Sequence, residues 1–188
     1  MKIVGLSGSI VGSKTRTAMN YTMKTIEEKY PDIEVSLIDL AEYDIQFSDG
    51  RNYTEYEGDT KYVTKSLMEA DAIILGTPIF QASIPGTLKN IFDLLPINAF
   101  RDKVVSMIVT AGSPKHYLIA ENQLKPILAY MKAEIVQTYV FIEEMDFHRK
   151  EITNDDVHFR IDRLVEDTVT LIETYTKIRE EKEAKYDF

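Results

Sequence analysis

Residues 8–17 combine the groups that proteins use to bind an oxyanion. The segment reads GSIVGSKTRT, with two glycines, four Ser or Thr hydroxyls, two cations and no acidic residue. It follows an apolar run and precedes a helical pattern, so its backbone N–H groups lie at a helix N-terminus. Glycines allow close backbone approach, while hydroxyl and cationic side chains add further donors. The sequence therefore predicts an anion site here rather than a plain capped turn.

The same segment departs from the nucleotide-binding pattern G-x-x-x-x-G-K-[ST] at Ser13, which stands where the second glycine belongs. An enzyme with that loop also needs an acidic residue at the end of a later apolar strand to hold Mg²⁺. The candidate strands end in LGTP at residues 75–78 and in VTAG at residues 109–112, without an acidic residue. A degenerate P-loop phosphotransferase is therefore only a lesser alternative.

Residues 76–93 form a second polar segment, which reads GTPIFQASIPGTLKNIFD and follows another apolar run. Its apolar side chains fall on one helical stripe made of Ile84, Leu88, Ile91, Phe92 and, two residues beyond the segment, Leu95. Ser83 precedes the stripe, and Pro85 falls in the first turn, where a missing N–H is tolerated. Ser83 is therefore predicted to cap this helix.

The elements that must position these two segments alternate between strand and helix patterns. Apolar runs predict strands at residues 2–6, 34–40, 72–75, 104–109 and 134–141. Apolar spacings of three and four predict helices at residues 18–29, 60–70, 84–95, 124–131 and 157–178. This alternation predicts an α/β fold in one domain, residues 1–188, with a doubly wound, flavodoxin-like, five-stranded parallel sheet in three α/β/α layers.

Composition excludes several other classes of function. The chain has 22 Lys and Arg against 31 Asp and Glu, a formal charge of −9, which argues against a nucleic-acid partner. It contains no cysteine, so thiol nucleophiles, disulfides and Cys-ligated metals are excluded. No apolar run approaches the roughly 20 residues of a membrane span, which predicts a cytoplasmic protein without a membrane partner. The three histidines lack metal-ligand spacing, so no metal site is expected.

The two polar segments together resemble those of the NADPH-dependent FMN reductase family of flavodoxin-like flavoproteins. That family pairs a Gly-Ser…Ser…Arg loop after the first strand with a Pro-x-aromatic…Ser-x-Pro-Gly-x-Leu-Lys-Asn segment after the third, and both occur here in that order. The resemblance implies an oxidoreductase that passes a hydride from NADPH or NADH to bound FMN. Electrons would pass on to a small-molecule acceptor such as free flavin, a quinone or an azo compound. It also implies a homodimer or homotetramer.

The resemblance assigns FMN contacts to particular residues and no residue to catalysis in the strict sense. The phosphate would be held by Ser9, Ser13, Lys14, Thr15, Arg16 and Thr17. The isoalloxazine ring would lie along Pro78, Ile79, Phe80, Gln81 and Ser83, with Gly112, Ser113 and His116 on its far side. The family often has Tyr-Asn-Gly where this chain has Phe80-Gln81-Ala82.

Two questions stay open from the sequence. A flavodoxin-type electron carrier, which binds FMN without turning over nicotinamide, is the main alternative to the reductase. Residues 43–59 form the longest irregular stretch, and a loop of that length is often functional or part of an interface. Its Tyr53 and Tyr56 would either cover the flavin of a neighbouring subunit or pack within their own loop.

Overall fold

The computed structural model describes residues 1–185 of the chain, so the last three residues of the predicted domain lie outside the described part. The strands are β1 (Lys2–Ser7), β2 (Glu34–Asp39), β3 (Ala72–Pro78), β4 (Val104–Ala111), β5 (Glu134–Ile135), β6 (Val140–Glu143), β7 (Phe147–His148) and β8 (Glu151–Ile152). The α-helices are α1 (Lys14–Lys29), α2 (Gly58–Glu69), α3 (Gly86–Leu94), α4 (Lys125–Tyr130) and α5 (Asp155–Glu183). Short 3₁₀ turns cover Leu40–Glu42, Tyr53–Glu55, Pro114–His116 and Glu144–Asp146, and a π-helical segment covers Ala120–Leu124.

The central sheet is parallel and has the strand order β2-β1-β3-β4-β5, which confirms the predicted fold. The chain runs from β1 outward to β2 and then returns to place β3 on the other side of β1. The strand order therefore reverses between β1 and β3, and ligands of such sheets bind beyond the strand ends at this point.

The helices cover the sheet on both faces. Side chains of α1 and α5 pack in one core, while those of α2, α3 and α4 pack in the other. Along β3, Ile74 belongs to the α1 core, whereas Ile73 and Leu75 belong to the opposite one. This alternation follows from the two-residue period of a strand, and burial on both faces explains why these strands are continuous apolar runs.

The prediction of one continuous strand over residues 134–141 is wrong. The structure has two short strands there, β5 and β6. Both β5 and β6 pair with β4, but Val104 faces Glu134 whereas Ile108 faces Val140. The outer chain thus has two more residues than β4 over the same stretch. The interruption contains the polar pair Gln137 and Thr138, and the Lys125 ammonium donates to the Gln137 carbonyl at 2.9 Å.

Helix starts also differ from those predicted. Helix α1 begins at Lys14, four residues before the predicted start, so the second half of the first polar segment is its first turn. The residue at the N-cap of α3 is Pro85, and the predicted cap by Ser83 is wrong. Ser83 instead closes a tight turn with Phe80, and its hydroxyl bonds to a different helix.

The loop of residues 43–59 is held by hydrogen bonds from side chains. Asn90 of α3 accepts from the Ser48 amide at 3.0 Å and donates to the Gln46 carbonyl at 2.9 Å. Tyr56 is 1% exposed and donates to Asp49 at 2.8 Å, so Tyr56 packs within its own loop. Hydrogen bonds from Arg51 and Tyr56 hold the pKa of Asp49 well below its ordinary value.

Residues 1–185 contain neither a membrane-spanning helix nor a cluster of metal ligands. No helix there is both long enough and apolar enough to cross a bilayer. The same residues contain no group of three or more His, Asp or Glu side chains arranged to hold a metal ion.

Candidate functional site

A cavity of about 360 Å³ lies at the carboxyl ends of the strands, beside the point where strand order reverses. Loops that follow β1, β3 and β4 form its walls. Seven of the residues proposed from the sequence line it: Ser13, Lys14, Thr15, Pro78, Ile79, Phe80 and Gly112. A larger groove of about 510 Å³ lies between α3 and α4, away from the strand ends. We place the function at the smaller cavity because a helix N-terminus opens onto it.

The wall formed by the β1 loop presents unpaired amides. Gly12 has φ +82°, a conformation that favours glycine, and it turns the chain into α1. Ser13 occupies the N-cap but its side chain makes no capping hydrogen bond. Helix geometry leaves the amides of the first turn without intrahelical acceptors, and the helix dipole places positive charge there. This wall therefore suits an anion.

Close packing fixes where α1 begins. A Cβ built on Gly76 would lie 2.5 Å from the Cγ and Sδ of Met19, so α1 rests directly on the end of β3. The Gly8 amide donates to the Gly76 carbonyl at 2.7 Å. Thr87 of α3 donates to the Gly8 carbonyl at 2.8 Å. The β1 loop is therefore held from both sides of the sheet.

Three hydroxyls of the first polar segment already form hydrogen bonds within the fold. The Ser9 hydroxyl bonds to both the amide and the carbonyl of Val11, which shapes the loop. The Thr15 and Thr110 hydroxyls lie 2.7 Å apart and are buried, which joins α1 to the end of β4. Thr17 donates to the Lys150 carbonyl at 3.2 Å, away from the cavity wall.

Both cations of the segment are paired with carboxylates. Lys14 forms an ion pair with Glu144, and both residues line the cavity. The Arg16 guanidinium contacts Asp39 at 3.2 Å and also pairs with Glu42, next to the end of β2. Because Asp39 is buried, Arg16 neutralises a carboxylate that would otherwise be unpaired. Arg16 is not among the residues that line the cavity.

The opposite wall is more apolar. Ile79 and Phe80 follow β3, and the Ile79 amide donates to the Thr110 carbonyl at 3.0 Å. The Phe80 ring is 43% exposed at the cavity. Gln81 and Ser83 belong to the turn behind Phe80 and do not line the cavity.

The end of β4 and the first residue after it contribute to the cavity. Thr110, Ala111 and Gly112 line it, and a Cβ on Gly112 would meet no atom within 4 Å. Ser113 instead caps the following 3₁₀ turn by accepting from the Lys115 amide at 3.3 Å. His116 ends that turn and lies outside the cavity lining.

Sequence reasoning missed five residues of the lining. These are Val11, Gly12, Thr110, Ala111 and Glu144. The first four lie within two residues of ones that were proposed, and the same strand-end rule applies to them. Glu144 directly follows β6, which pairs with β4 at the edge of the sheet. The rule that ligands bind beyond strand ends would have indicated Glu144 if it had been applied to the last predicted strand as well.

The donor set and the walls fit a phosphate joined to a flat, largely apolar ring. Ser13 and the uncapped first turn of α1 line one part of the cavity, and the wall that contains Ile79 and Phe80 offers an apolar surface. A 2-1-3-4-5 parallel sheet with such a site beside its reversal point defines the flavodoxin-like class of proteins.

Comparison with known proteins identifies the family within that class. Residues 1–147 match the model of the NADPH-dependent FMN reductase family. The chain is 37% identical over 170 residues to an NAD(P)H-dependent FAD/FMN reductase of Geobacillus thermodenitrificans, covering 90% of this chain and 92% of the relative. It is 27% identical over 177 residues to an NADH-dependent FMN reductase of Pseudomonas fluorescens, covering 94% and 95%. The apo form of an NADH:FMN oxidoreductase is similar with a TM-score of 0.77 and 26% identity, covering 90% of this chain and 89% of that one.

The chain belongs to the NADPH-dependent FMN reductase family. It is accordingly an NAD(P)H-dependent oxidoreductase that uses FMN, which confirms the activity and cofactors implied by the resemblance.

Proposed function

We propose that the cavity holds FMN with its phosphate at the N-terminus of α1 and its ring beside Ile79 and Phe80. The observation that carries this proposal is the uncapped first turn of α1, which opens onto a cavity with an apolar opposite wall. Ser13, Lys14 and Thr15 would contact or adjoin the phosphate. Ser9, Arg16 and Thr17 would shape and support that loop, because they do not line the cavity and their polar groups already bond within the fold.

The ring would be positioned by the β3 and β4 loops. Pro78, Ile79 and Phe80 would support it on one side, with Gln81 and Ser83 shaping the turn behind them. Gly112 would leave space on the other side, and Ser113 and His116 would border that space. Bound FMN would supply the chemistry, accepting a hydride from NADPH or NADH and passing electrons to an acceptor.

Anaerobic mixing of the FMN-loaded protein with NADPH or NADH tests the proposed reaction. We expect the yellow absorbance to bleach, and to return when an acceptor is added. A protein that holds FMN but is bleached by neither nucleotide would be a flavodoxin-type carrier. A colourless protein that binds ATP with Mg²⁺ would instead support the degenerate P-loop phosphotransferase.

Free flavin is the acceptor that we propose first, because a similar protein is named an FAD/FMN reductase. Quinones and azo compounds are the alternatives. Steady-state rates with FMN, FAD, a soluble quinone and an azo dye, at equal NADPH, would rank them. A rate with free flavin below the rates with both other classes would contradict this choice.

Glu144→Gln is expected to strengthen FMN binding by up to about fivefold, since an exposed ion pair is worth about 0.2–1 kcal/mol. The substitution frees Lys14 and removes a carboxylate from the cavity wall. Titration of apoprotein by quenching of flavin fluorescence measures the effect. Glu28→Gln removes the same charge from an exposed ion pair on α1 and is the control. Unchanged or weaker FMN binding in Glu144→Gln would show that Lys14 does not meet the phosphate.

We propose that residues 1–188 act as one FMN-binding domain and that the protein assembles as a homodimer or homotetramer. The groove between α3 and α4 supports assembly, because it is lined by apolar side chains that include Ile97 and Tyr130, 59% and 64% exposed. Light scattering of wild type and Tyr130→Asp compares their masses, and equal monomer masses would contradict assembly. A cytoplasmic location is proposed because NAD(P)H is the reductant.

A further inference from the structure

The turn of residues 80–83 has a backbone shape that its own residues disfavour. The Phe80 amide donates to the Ser83 carbonyl at 2.9 Å, and the Ser83 amide donates to the Phe80 carbonyl at 3.0 Å. Gln81 and Ala82 between them have φ +49° and +57°. Two successive positive φ values define a type I′ turn, for which Asn-Gly is the favoured pair. Gln and Ala are strained in this conformation, so surrounding contacts must hold it.

Gln123 holds this turn through both ends of its side-chain amide. Its Nε2 donates to the Ala82 carbonyl at 3.2 Å, and its Oε1 accepts from the Ser83 hydroxyl at 2.6 Å. The Ala82 carbonyl can only accept, so it requires the nitrogen of Gln123 to face it. The two partners together therefore fix the orientation of the amide.

Gln123 reaches the turn from an unusual helical segment. It lies within the π-helical residues Ala120–Leu124, which precede α4. Ala120 and Leu124 are both buried in the core, so the segment is anchored on either side of Gln123. Single π-helical turns inside helices occur frequently at functional sites. Here the segment presents a half-buried amide to the strained turn.

We propose that Gln123 is a positioning residue, which holds the 80–83 turn and thereby keeps Phe80 where the flavin ring requires it. The Ile79 amide is already fixed to Thr110, so the turn is the remaining determinant of the Phe80 backbone. Gln123 itself does not line the cavity. For the contact with flavin, this proposal rests on the proposed function.

Gln123→Met tests the proposal with a side chain of similar length that lacks both hydrogen bonds. In the FMN-free protein, hydrogen exchange at the Phe80 and Ser83 amides is expected to become about tenfold faster. The reason is that the turn opens more easily once the two neutral hydrogen bonds from Gln123 are lost. FMN affinity is expected to fall about tenfold, while the melting temperature changes little. Asn122→Ala alters an exposed neighbour in the same π-helical segment and should leave all three measurements unchanged.

A rescue experiment distinguishes the loss of the 80–83 turn from a general loss of protein stability. The double substitution Gln81→Asn/Ala82→Gly supplies the pair that forms a type I′ turn unaided. In that background, Gln123→Met should change exchange and FMN affinity by less than about twofold, because the turn no longer needs the amide.

Unchanged exchange in Gln123→Met, or an equal loss in both backgrounds, would overturn the role of Gln123. Faster exchange with unchanged FMN affinity would also overturn it, since the turn would then not position the ring. If wild type shows no bleaching by NAD(P)H but Gln123→Met still shows the expected exchange and affinity changes, the proposed reaction fails and the positioning role stands.

Discussion

Ser13→Asp is expected to weaken FMN binding at least 100-fold without lowering the melting temperature. The new carboxylate would stand at the N-cap of α1, where it favours the helix but repels a phosphate. Two unit charges 4 Å apart repel by about 4 kcal/mol at a dielectric constant near 20, and salt screening reduces this value. Flavin fluorescence titration gives the affinity, and a thermal melt gives the stability.

Ser13→Asn is the matched control, because it has nearly the same shape as Ser13→Asp without the charge. We expect it to lose less than about tenfold in FMN affinity, the effect of one altered hydrogen bond. Equal losses in the two variants would mean that shape, and not charge, governs this position. Wild-type affinity in Ser13→Asp would mean that the phosphate lies elsewhere.

Gly76→Val is expected to lower the free energy of unfolding by about 3 kcal/mol, at the upper end of the usual range for overpacking. Even a Cβ at this position meets Met19 at 2.5 Å and the Cγ2 of Thr15 at 3.1 Å. The first turn of α1 would have to move away from β3, so FMN binding should weaken as well. Chemical denaturation measures the stability of the apoprotein.

Gly86→Ala is the control for Gly76→Val, since a Cβ on Gly86 meets no atom within 4 Å. Gly86 is the first residue of α3, where alanine favours the helix more than glycine does. This control should therefore be neutral or slightly stabilising. A Gly76→Val protein as stable as wild type would contradict the close contact between α1 and β3.

The fold was predictable because its signals are local. Buried parallel strands appear as apolar runs, and helices appear as stripes with a period of three to four residues. Alternation of the two leaves few possible topologies. The division between β5 and β6 was not predictable in this way, because Val136, Tyr139 and Val140 continue the apolar run across the two additional residues.

The location of the cavity at the strand ends was predictable, but the state of its charged groups was not. A loop with Lys14, Arg16 and no acidic residue suggested a positively charged pocket. In the fold, Glu144 and Asp39 come from distant parts of the chain and neutralise both cations. We therefore expect helix-terminal amides to be the principal donors of the proposed site, and sequence composition does not reveal backbone groups.

Ser83 is a second residue whose bonding partner could not be predicted from the sequence. Its position before an apolar stripe predicted a helix cap, since Ser is a favoured capping residue. In the structure, its hydroxyl bonds to Gln123, which lies 40 residues away. Only the folded chain brings these two side chains together, and local propensity cannot anticipate such a pair.

Recognition of the phosphate at α1 is tested most directly by comparing the dissociation constants of FMN and riboflavin for the apoprotein. The two ligands share the ring and differ only in the phosphate. We expect FMN to bind at least 100-fold more tightly, since hydrogen bonds to charged groups contribute about 1.5–3 kcal/mol each and at least two are available. Equal dissociation constants would contradict binding of the phosphate at the first turn of α1.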